Sequence, residues 1–77
     1  MTEHEWLDIF GDNLVSLMRD WNMSQSELSQ RSGISQSSIS AYINKRKMPG
    51  VKALINIADV FDISLDDFMN FGDIIDW

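Results

Sequence analysis

The sequence predicts an all-α fold, a compact domain of five helices. Apolar residues recur at intervals of three and four along several segments, which is the spacing of one face of a helix. Serine residues that can cap helices precede three of these segments, and no segment alternates apolar and polar residues between hairpin turns. A chain of 77 residues is long enough for one domain only, so we expect a single domain over residues 1–77. Because the sequence has no cysteine, we expect apolar packing to hold this domain together.

The first predicted helix begins at residue 3 or near Asp8 and ends at Trp21, where Asn22 stops it. Its apolar stripe consists of residues three and four apart, namely Leu7, Phe10, Leu14, Leu17 and Trp21. Gly11 lies inside this stripe and costs about 1 kcal/mol relative to alanine in a helix, which favours the later start.

The second predicted helix follows a capping box formed by Ser24 and Glu27. In such a box the serine hydroxyl accepts from a free amide, and the glutamate turns back to the amide of the serine. The helix is expected to end near Ser32, because Gly33 suits a left-handed residue after a helix.

The third predicted helix is capped by Ser35 and ends near Asn44, before the charged and Pro-Gly-containing segment KRKMPG at residues 45–50. Helical spacing divides its residues between two faces. The inward face consists of Ile39, Tyr42 and Ile43, and the outward face of Gln36, Ser37, Ser40, Ala41 and Asn44.

Two further helices complete the predicted fold. The fourth runs over residues 51–61, with Leu54, Ile57, Ala58 and Phe61 in register. Ser64 precedes the fifth helix. Its first turn contains two aspartates, at positions 66 and 67, whose negative charges are stabilised by the positive end of the helix dipole.

The charge is unevenly distributed along the chain, although the net charge is −6. The segment from Arg19 to Lys52 contains all six lysines and arginines and only two acids, a net charge of +4. The remaining residues carry ten acids and no lysine or arginine, a net charge of −10. Because exposed charges act over a Debye length of about 8 to 10 Å, a local basic region can bind an anion despite the acidic total.

From about Phe10 to Met69 the chain resembles the lambda-repressor-like (Xre/Cro type) helix-turn-helix domains of phage repressors and bacterial regulators. The matching segments are SQSEL at residues 24–28, GIS at 33–35, SISAYIN at 38–44, Pro49, and FDISLDDFM at 61–69. The helix-turn-helix itself is expected over residues 24–44, with acidic and apolar ends at 1–9 and 70–77 outside the family-like core of residues 10–69.

The resemblance implies a sequence-specific transcriptional regulator of double-stranded DNA, of the phage or mobile-element repressor type, with the third helix in the major groove. The residues implied in base contacts are Gln36, Ser37, Ser40 and Ala41. Those implied in phosphate contacts are Gln25, Ser38, Asn44, Lys45, Arg46 and Lys47. The chemistry agrees, because a glutamine amide can pair with adenine and a basic loop can hold phosphates.

The sequence departs from this family at two places. Many members have an arginine on the first helix and a glutamate on the third that form a buried ion pair, but these positions are Met18 and Ile43 here. Since both partners are apolar, no charge is stranded, and we expect the two side chains to pack together. A glycine often follows the third helix in the family, and Lys45 replaces it.

Other functions find little support. The single His4, without cysteine, provides neither a nucleophile system nor a metal site, so we expect no enzyme, no metal and no cofactor. No small-molecule ligand is evident. No apolar run approaches 18 residues and the first residues, MTEHEWLD, are acidic, so we expect a cytoplasmic protein that does not enter the membrane.

Two questions stay open at this level. The apolar residues of the segment NFGDIIDW at 70–77 can pack back onto the domain or form a homodimer interface, and we expect a homodimer at least on DNA. The alternative to a DNA-binding regulator is a protein-interaction module of the same fold, similar to an antirepressor or antitoxin, that uses its acidic surface.

Overall fold

A computed structural model of the protein describes residues 3–69, and every regular element in this range is a helix. The elements are α1 (Glu3–Asp20), α2 (Gln25–Ser32), α3 (Gln36–Ile43), α4 (Val51–Val60) and a short final segment, α5 (Leu65–Met69). The all-α prediction is confirmed. The expectations about residues 70–77 lie outside the described residues.

The helices begin where the serines predict. The hydroxyl of Ser24 accepts from the backbone amide of Glu27 at 3.1 Å, that of Ser35 from Ser38 at 3.2 Å, and that of Ser64 from Asp67 at 3.0 Å. Each bond satisfies one of the amides that have no partner inside a first helical turn. These three caps therefore fix the starts of α2, α3 and α5.

The capping box at Ser24 is only half formed. Its glutamate, Glu27, accepts instead from the guanidinium of Arg31 one turn later, at 3.0 Å. Both side chains are exposed, so this ion pair adds only about 0.3–0.5 kcal/mol.

Three of the helices end in the same way, with a left-handed residue that is not glycine. The residues are Asn22 after α1, Lys45 after α3 and Asp62 after α4, with φ angles of 52°, 61° and 55°. At each end the next amide donates to a carbonyl five residues earlier, for example Arg46 to Ala41 at 2.9 Å, which is the Schellman motif. Gly33, with a φ of 75°, ends α2 as predicted.

The boundaries of α1 differ from the favoured prediction. The helix begins at Glu3, the earlier of the two expected starts, and ends at Asp20, so that Trp21 lies in the following turn. Trp21 is 50% exposed, and its ring meets that of Phe61 in an edge-to-face arrangement at a centroid distance of 5.8 Å. The prediction that the first helix ends at Trp21 is therefore one residue too long, and the last residue of the predicted stripe lies outside α1.

The core lies between α1 and the other helices. α1 packs against α3 and α5, α2 packs against α3 and α4, and α4 packs against α5. The buried apolar residues are Phe10, Leu14, Leu17, Met18, Met23, Leu28, Ile39, Tyr42, Ile57, Ala58, Phe61 and Phe68. Ile43 packs against this cluster, so both positions of the family's ion pair face the apolar interior here, and direct packing of Met18 on Ile43 stays a prediction.

The short α5 is anchored to α1 by one polar and one aromatic contact. The buried Asn13 donates from its amide nitrogen to the carbonyl oxygen of Phe68 at 3.0 Å, which satisfies a polar group inside the core. The ring of Phe68 is fully buried and lies 5.5 Å from that of Phe10. Among residues 3–69, no helix has the length and apolar character needed to cross a bilayer.

We expect Phe68→Ala to lower the free energy of unfolding by about 3–5 kcal/mol, because it removes a fully buried ring and leaves a cavity against α1. Urea unfolding followed by circular dichroism measures this change. Lys52→Ala, at an exposed position of α4, is the control and should alter stability by less than about 0.5 kcal/mol. A loss below about 1 kcal/mol for Phe68→Ala would mean that α5 does not belong to the core.

Candidate nucleic-acid interface

The turn between α2 and α3 is held by two serine side chains of α2. The hydroxyl of Ser29 donates to the carbonyl oxygen of Ile34 at 2.6 Å, and the amide of Ile34 donates to the hydroxyl of Ser32 at 3.2 Å. Ile34 itself packs against the core. The angle between the two helices is therefore fixed by local bonds and by burial together.

α3 presents the polar face that its spacing predicts. Ile39 and Tyr42 are buried, whereas Gln36 and Ser37 in the first turn are exposed. Ser40 and Ala41 follow one turn later on the same side and are half-buried. The four residues predicted to contact bases thus share one face of α3, with the bulky Gln36 at its start and smaller side chains behind it.

The C-terminal end of this face is closed by Asn44. Its amide nitrogen donates to the carbonyl oxygen of Ser40 at 2.9 Å and lies 3.4 Å from the Ser40 hydroxyl. Asn44 is exposed, and its amide oxygen takes no part in these bonds. Asn44 therefore finishes the helix and still offers an acceptor toward solvent.

Lys47 turns back toward the start of α3, nine residues away in the sequence. Its ammonium lies 3.4 Å from the Ser38 hydroxyl and 6.0 Å from the centre of the Tyr42 ring. The Ser38 hydroxyl also accepts from Ser35 at 3.0 Å. Two of the predicted phosphate residues, Ser38 and Lys47, are thus brought together beside the polar face.

Two further predicted phosphate residues, Gln25 and Arg46, lie in α2 and in the loop after α3. Gln25 is the first residue of α2 and is half-buried, next to the free amides of that helix end. Arg46 is exposed in the loop after α3.

Lys45 takes a different direction from its two basic neighbours. Its ammonium lies 2.8 Å from a carboxylate oxygen of Asp12 and 3.6 Å from one of Asp8, both on α1. The hydrogen bond that the Lys45 ammonium donates to the Asp12 carboxylate is the main cause that raises the pKa of Lys45 above its ordinary value. Lys45 is therefore part of the contact between α1 and the end of α3, which its place in the predicted phosphate set did not anticipate.

The contact of Lys45 with Asp8 and Asp12 also changes the distribution of charge that was expected from the sequence. Counted along the sequence, the basic loop at residues 45–47 has no acidic neighbour, but the fold brings Asp8 and Asp12 against it. The segregation of +4 from −10 along the chain is therefore not a clean segregation in space.

Gly11 makes this approach possible. A Cβ atom at Gly11 would lie 3.0 Å from Cγ and 3.2 Å from Cε of Lys45, and 3.1 Å from the carbonyl oxygen of Tyr42. Sequence reasoning identified Gly11 only as a cost to α1. The structure supplies a packing reason for this cost, because only a residue without a side chain leaves room for Lys45 and the end of α3.

Burial raises the pKa of Tyr42 above its ordinary value of 10.0. The tyrosine is buried on the inward side of α3, where the charged phenolate is less well solvated than in water.

Among the described residues, no group of three or more histidine, aspartate or glutamate side chains is arranged to hold a metal ion.

Two short helices with a fixed turn, the second of which presents a polar face beside a basic loop, define the helix-turn-helix class. Comparison with known proteins agrees, since the model of the Helix-turn-helix family matches residues 22–68. The chain belongs to this family, in its lambda-repressor-like (Xre) form, as the resemblance predicted.

One curated relative is a Bacillus subtilis (strain 168) protein described as the uncharacterized HTH-type transcriptional regulator YqaE. The two are 31% identical over 58 residues, which make up 75% of this chain and 50% of the relative. The chain thus spans about half the length of the relative that it matches.

We expect Gly11→Ala to lower the free energy of unfolding by up to about 2 kcal/mol, because an overpacking cost of about 1–3 kcal/mol is partly offset by the gain of about 1 kcal/mol from the better helix former. The added methyl group would press on Lys45 and on the backbone of α3. Gly50→Ala is the matched control, since its Cβ would meet open space at a φ of −75°. There the lost cap preference and the stiffer unfolded chain nearly cancel. A stabilised Gly11→Ala protein would contradict the close contact.

We expect alkaline pH to destabilise the protein partly through Tyr42, the single tyrosine of the chain. Since its pKa is raised in the folded state, its contribution is fully present below about pH 10 and is lost as the pH rises through the raised pKa. Urea unfolding between about pH 9 and 11 should show a shallower decline for Tyr42→Phe than for the parent. The remaining slope includes Lys45, whose raised pKa acts in the same direction. Equal slopes would contradict the assignment to Tyr42.

Proposed function

We propose that the protein is a sequence-specific DNA-binding transcriptional regulator that reads the major groove with α3. The observation that carries this proposal is the two-sided character of α3. Its buried face fixes the helix in the core, while Gln36, Ser37, Ser40 and Ala41 form a continuous outward face of groups that suit base edges. The polar face has no role in the core, so its composition is free to serve recognition.

The proposed roles follow from the chemistry of each side chain. Gln36 offers one acceptor and one donor, the pair that adenine accepts in the major groove, and the small Ser37, Ser40 and Ala41 allow the helix to approach closely. α3 has no acidic residue in its first turn, so the positive end of its dipole is not neutralised on the DNA side.

The proposed phosphate contacts surround this face. Gln25 adds its amide and the free backbone amides at the start of α2. Ser38 and Lys47, which already lie together, and the exposed Asn44 and Arg46 supply the remaining groups. Such contacts position the helix without reading sequence. Lys45 is left out of this set in the free protein, because its ammonium is held by Asp8 and Asp12.

Two finer features belong to the same proposal. The regulator acts as a repressor of the phage or mobile-element type, in line with the family resemblance. It binds as a homodimer of two copies of this chain, which would place two α3 helices about 34 Å apart on one face of DNA. An apolar stripe on α4 supports a dimer: Val51 and Ile55 are exposed, and Leu54 beside them lines a cavity of about 270 Å³ with Trp6 and Met48.

A protein-interaction module of the same fold is the second candidate. The observation that favours it is the net charge of −10 that the residues outside 19–52 carry, which opposes the binding of DNA. A protein partner of basic character would suit these acidic residues.

The deciding experiment is a selection of bound sequences from random duplex DNA at low salt, followed by a salt titration. For the regulator we expect an enriched inverted repeat with half-sites one DNA turn apart, and an affinity whose logarithm falls with the logarithm of salt by about 0.9 per phosphate neutralised. No enriched sequence would favour the protein-interaction module, and an enriched single half-site would contradict the dimer.

Variants of two residues separate base contacts from phosphate contacts. Gln36→Ala should cost about 1–3 kcal/mol on the selected site and relax one base position, while Gln30→Ala, an exposed glutamine on α2, should leave binding unchanged. Arg46→Ala should weaken binding to all sequences and reduce the salt slope by about 1. Arg31→Ala removes the same charge at the far end of α2, where Glu27 already pairs with it, and serves as its control.

A further inference from the structure

Lys45 is an unexpected residue at its place in the backbone. It is the left-handed residue of the motif that ends α3, with a φ of 61°. A residue with a side chain costs roughly 1–2 kcal/mol in this conformation, which is why glycine is common there. The chain carries a lysine at this position instead, so the use of its side chain requires an explanation.

The side chain of Lys45 bridges two helices. Its stem crosses α1 at Gly11, where a methyl group would crowd it, and its ammonium reaches Asp12 at 2.8 Å and Asp8 at 3.6 Å. The two aspartates lie four residues apart and therefore on one face of α1. Together they form an acidic clip around the first charge of the basic loop.

The clip is accessible to solvent and can open. The side chains of Lys45, Asp8 and Asp12 are 36%, 67% and 70% exposed. Ion pairs with this exposure contribute little to stability, so another anion can compete for the ammonium. A DNA phosphate has the same hydrogen-bonding chemistry as a carboxylate.

The clip also changes the charge of the loop. Lys45, Arg46 and Lys47 carry three positive charges, and the two aspartates of the clip reduce the local total from +3 to +1. Lys47 lies over Tyr42 and beside Ser38, away from the two aspartates, and Arg46 is exposed. One cation of the three is thus withheld from an approaching polyanion.

We propose that Asp8 and Asp12 compete with DNA phosphates for the Lys45 ammonium and thereby lower the affinity of the protein for non-specific DNA. This inference rests on the proposed DNA-binding function. Sequence-independent affinity arises from the number of phosphates neutralised by cations, whereas discrimination depends on how far specific binding exceeds it. A carboxylate clip on one cation lowers the sequence-independent affinity and leaves the base-reading face of α3 unchanged.

The test is a cycle of four proteins, each bound to a random-sequence duplex at a series of salt concentrations. They are the parent, the Asp8→Asn/Asp12→Asn variant, the Lys45→Met variant, and the triple variant. Asparagine keeps the shape of aspartate, and methionine keeps a stem over Gly11. Circular dichroism and urea unfolding establish that each protein is folded, and Asp12→Asn alone replaces the double variant if that one is unstable.

With Lys45 present, removal of the clip should steepen the plot of log affinity against log salt by about 0.9, the value for one further phosphate. As the salt concentration rises from about 50 to 200 mM, the ratio of the affinity of the Asp8→Asn/Asp12→Asn variant to that of the parent should therefore fall about 3.5-fold. With Met at position 45, the same two substitutions should leave the slope unchanged. The cycle therefore separates the action on Lys45 from the general loss of negative charge.

Three results would overturn the inference. An equal change of slope with and without Lys45 would assign the effect to long-range charge alone. A loss of affinity at unchanged slope would make the clip a purely structural contact between α1 and α3. Failure of the parent itself to bind any duplex at low salt would reject the DNA-binding function, and the inference would fall with it.

Discussion

The position of α3 depends on the ring of Phe10. This side chain is almost fully buried on α1, meets the edge of Tyr42 on α3 at 5.7 Å and lies 5.5 Å from Phe68 on α5. Rings in such tilted and edge-to-face arrangements contribute about 0.5–1.5 kcal/mol beyond the area that they bury. Phe10 thus contacts both α3 and α5 within one core. The contact of Phe10 with Tyr42 orients α3 and, with it, the outward face of that helix.

Much of this arrangement could be predicted from local sequence. The positions of α2 and α3 follow from Ser24, Gly33 and Ser35, because caps and a left-handed glycine act within a few residues of where they stand. The division of α3 into two faces follows equally from helical spacing. Trp21 was placed wrongly, since an apolar residue in register does not reveal that its helix has already ended at Asp20.

The clip around Lys45 could not be predicted in this way. Asp8 and Lys45 are 37 positions apart, and their meeting depends on how α1 crosses α3, which local patterns do not encode. Non-glycine residues in left-handed conformation at Asn22, Lys45 and Asp62 also give no strong local signal. The one related feature was Gly11, whose cost inside a helix has a packing reason in the structure, the approach of Lys45 and α3.

The buried face of α3 is constrained by packing in the core, whereas its exposed face is not. This difference affects how such a protein can diversify in evolution. Ile39 and Tyr42 are bound to the core, so exchanges there alter the fold, whereas Gln36 and Ser37 are exposed and contribute nothing to packing. Point changes on the exposed face are therefore nearly silent for stability. A lineage can explore new partners one residue at a time on this helix while natural selection keeps the scaffold beneath it constant.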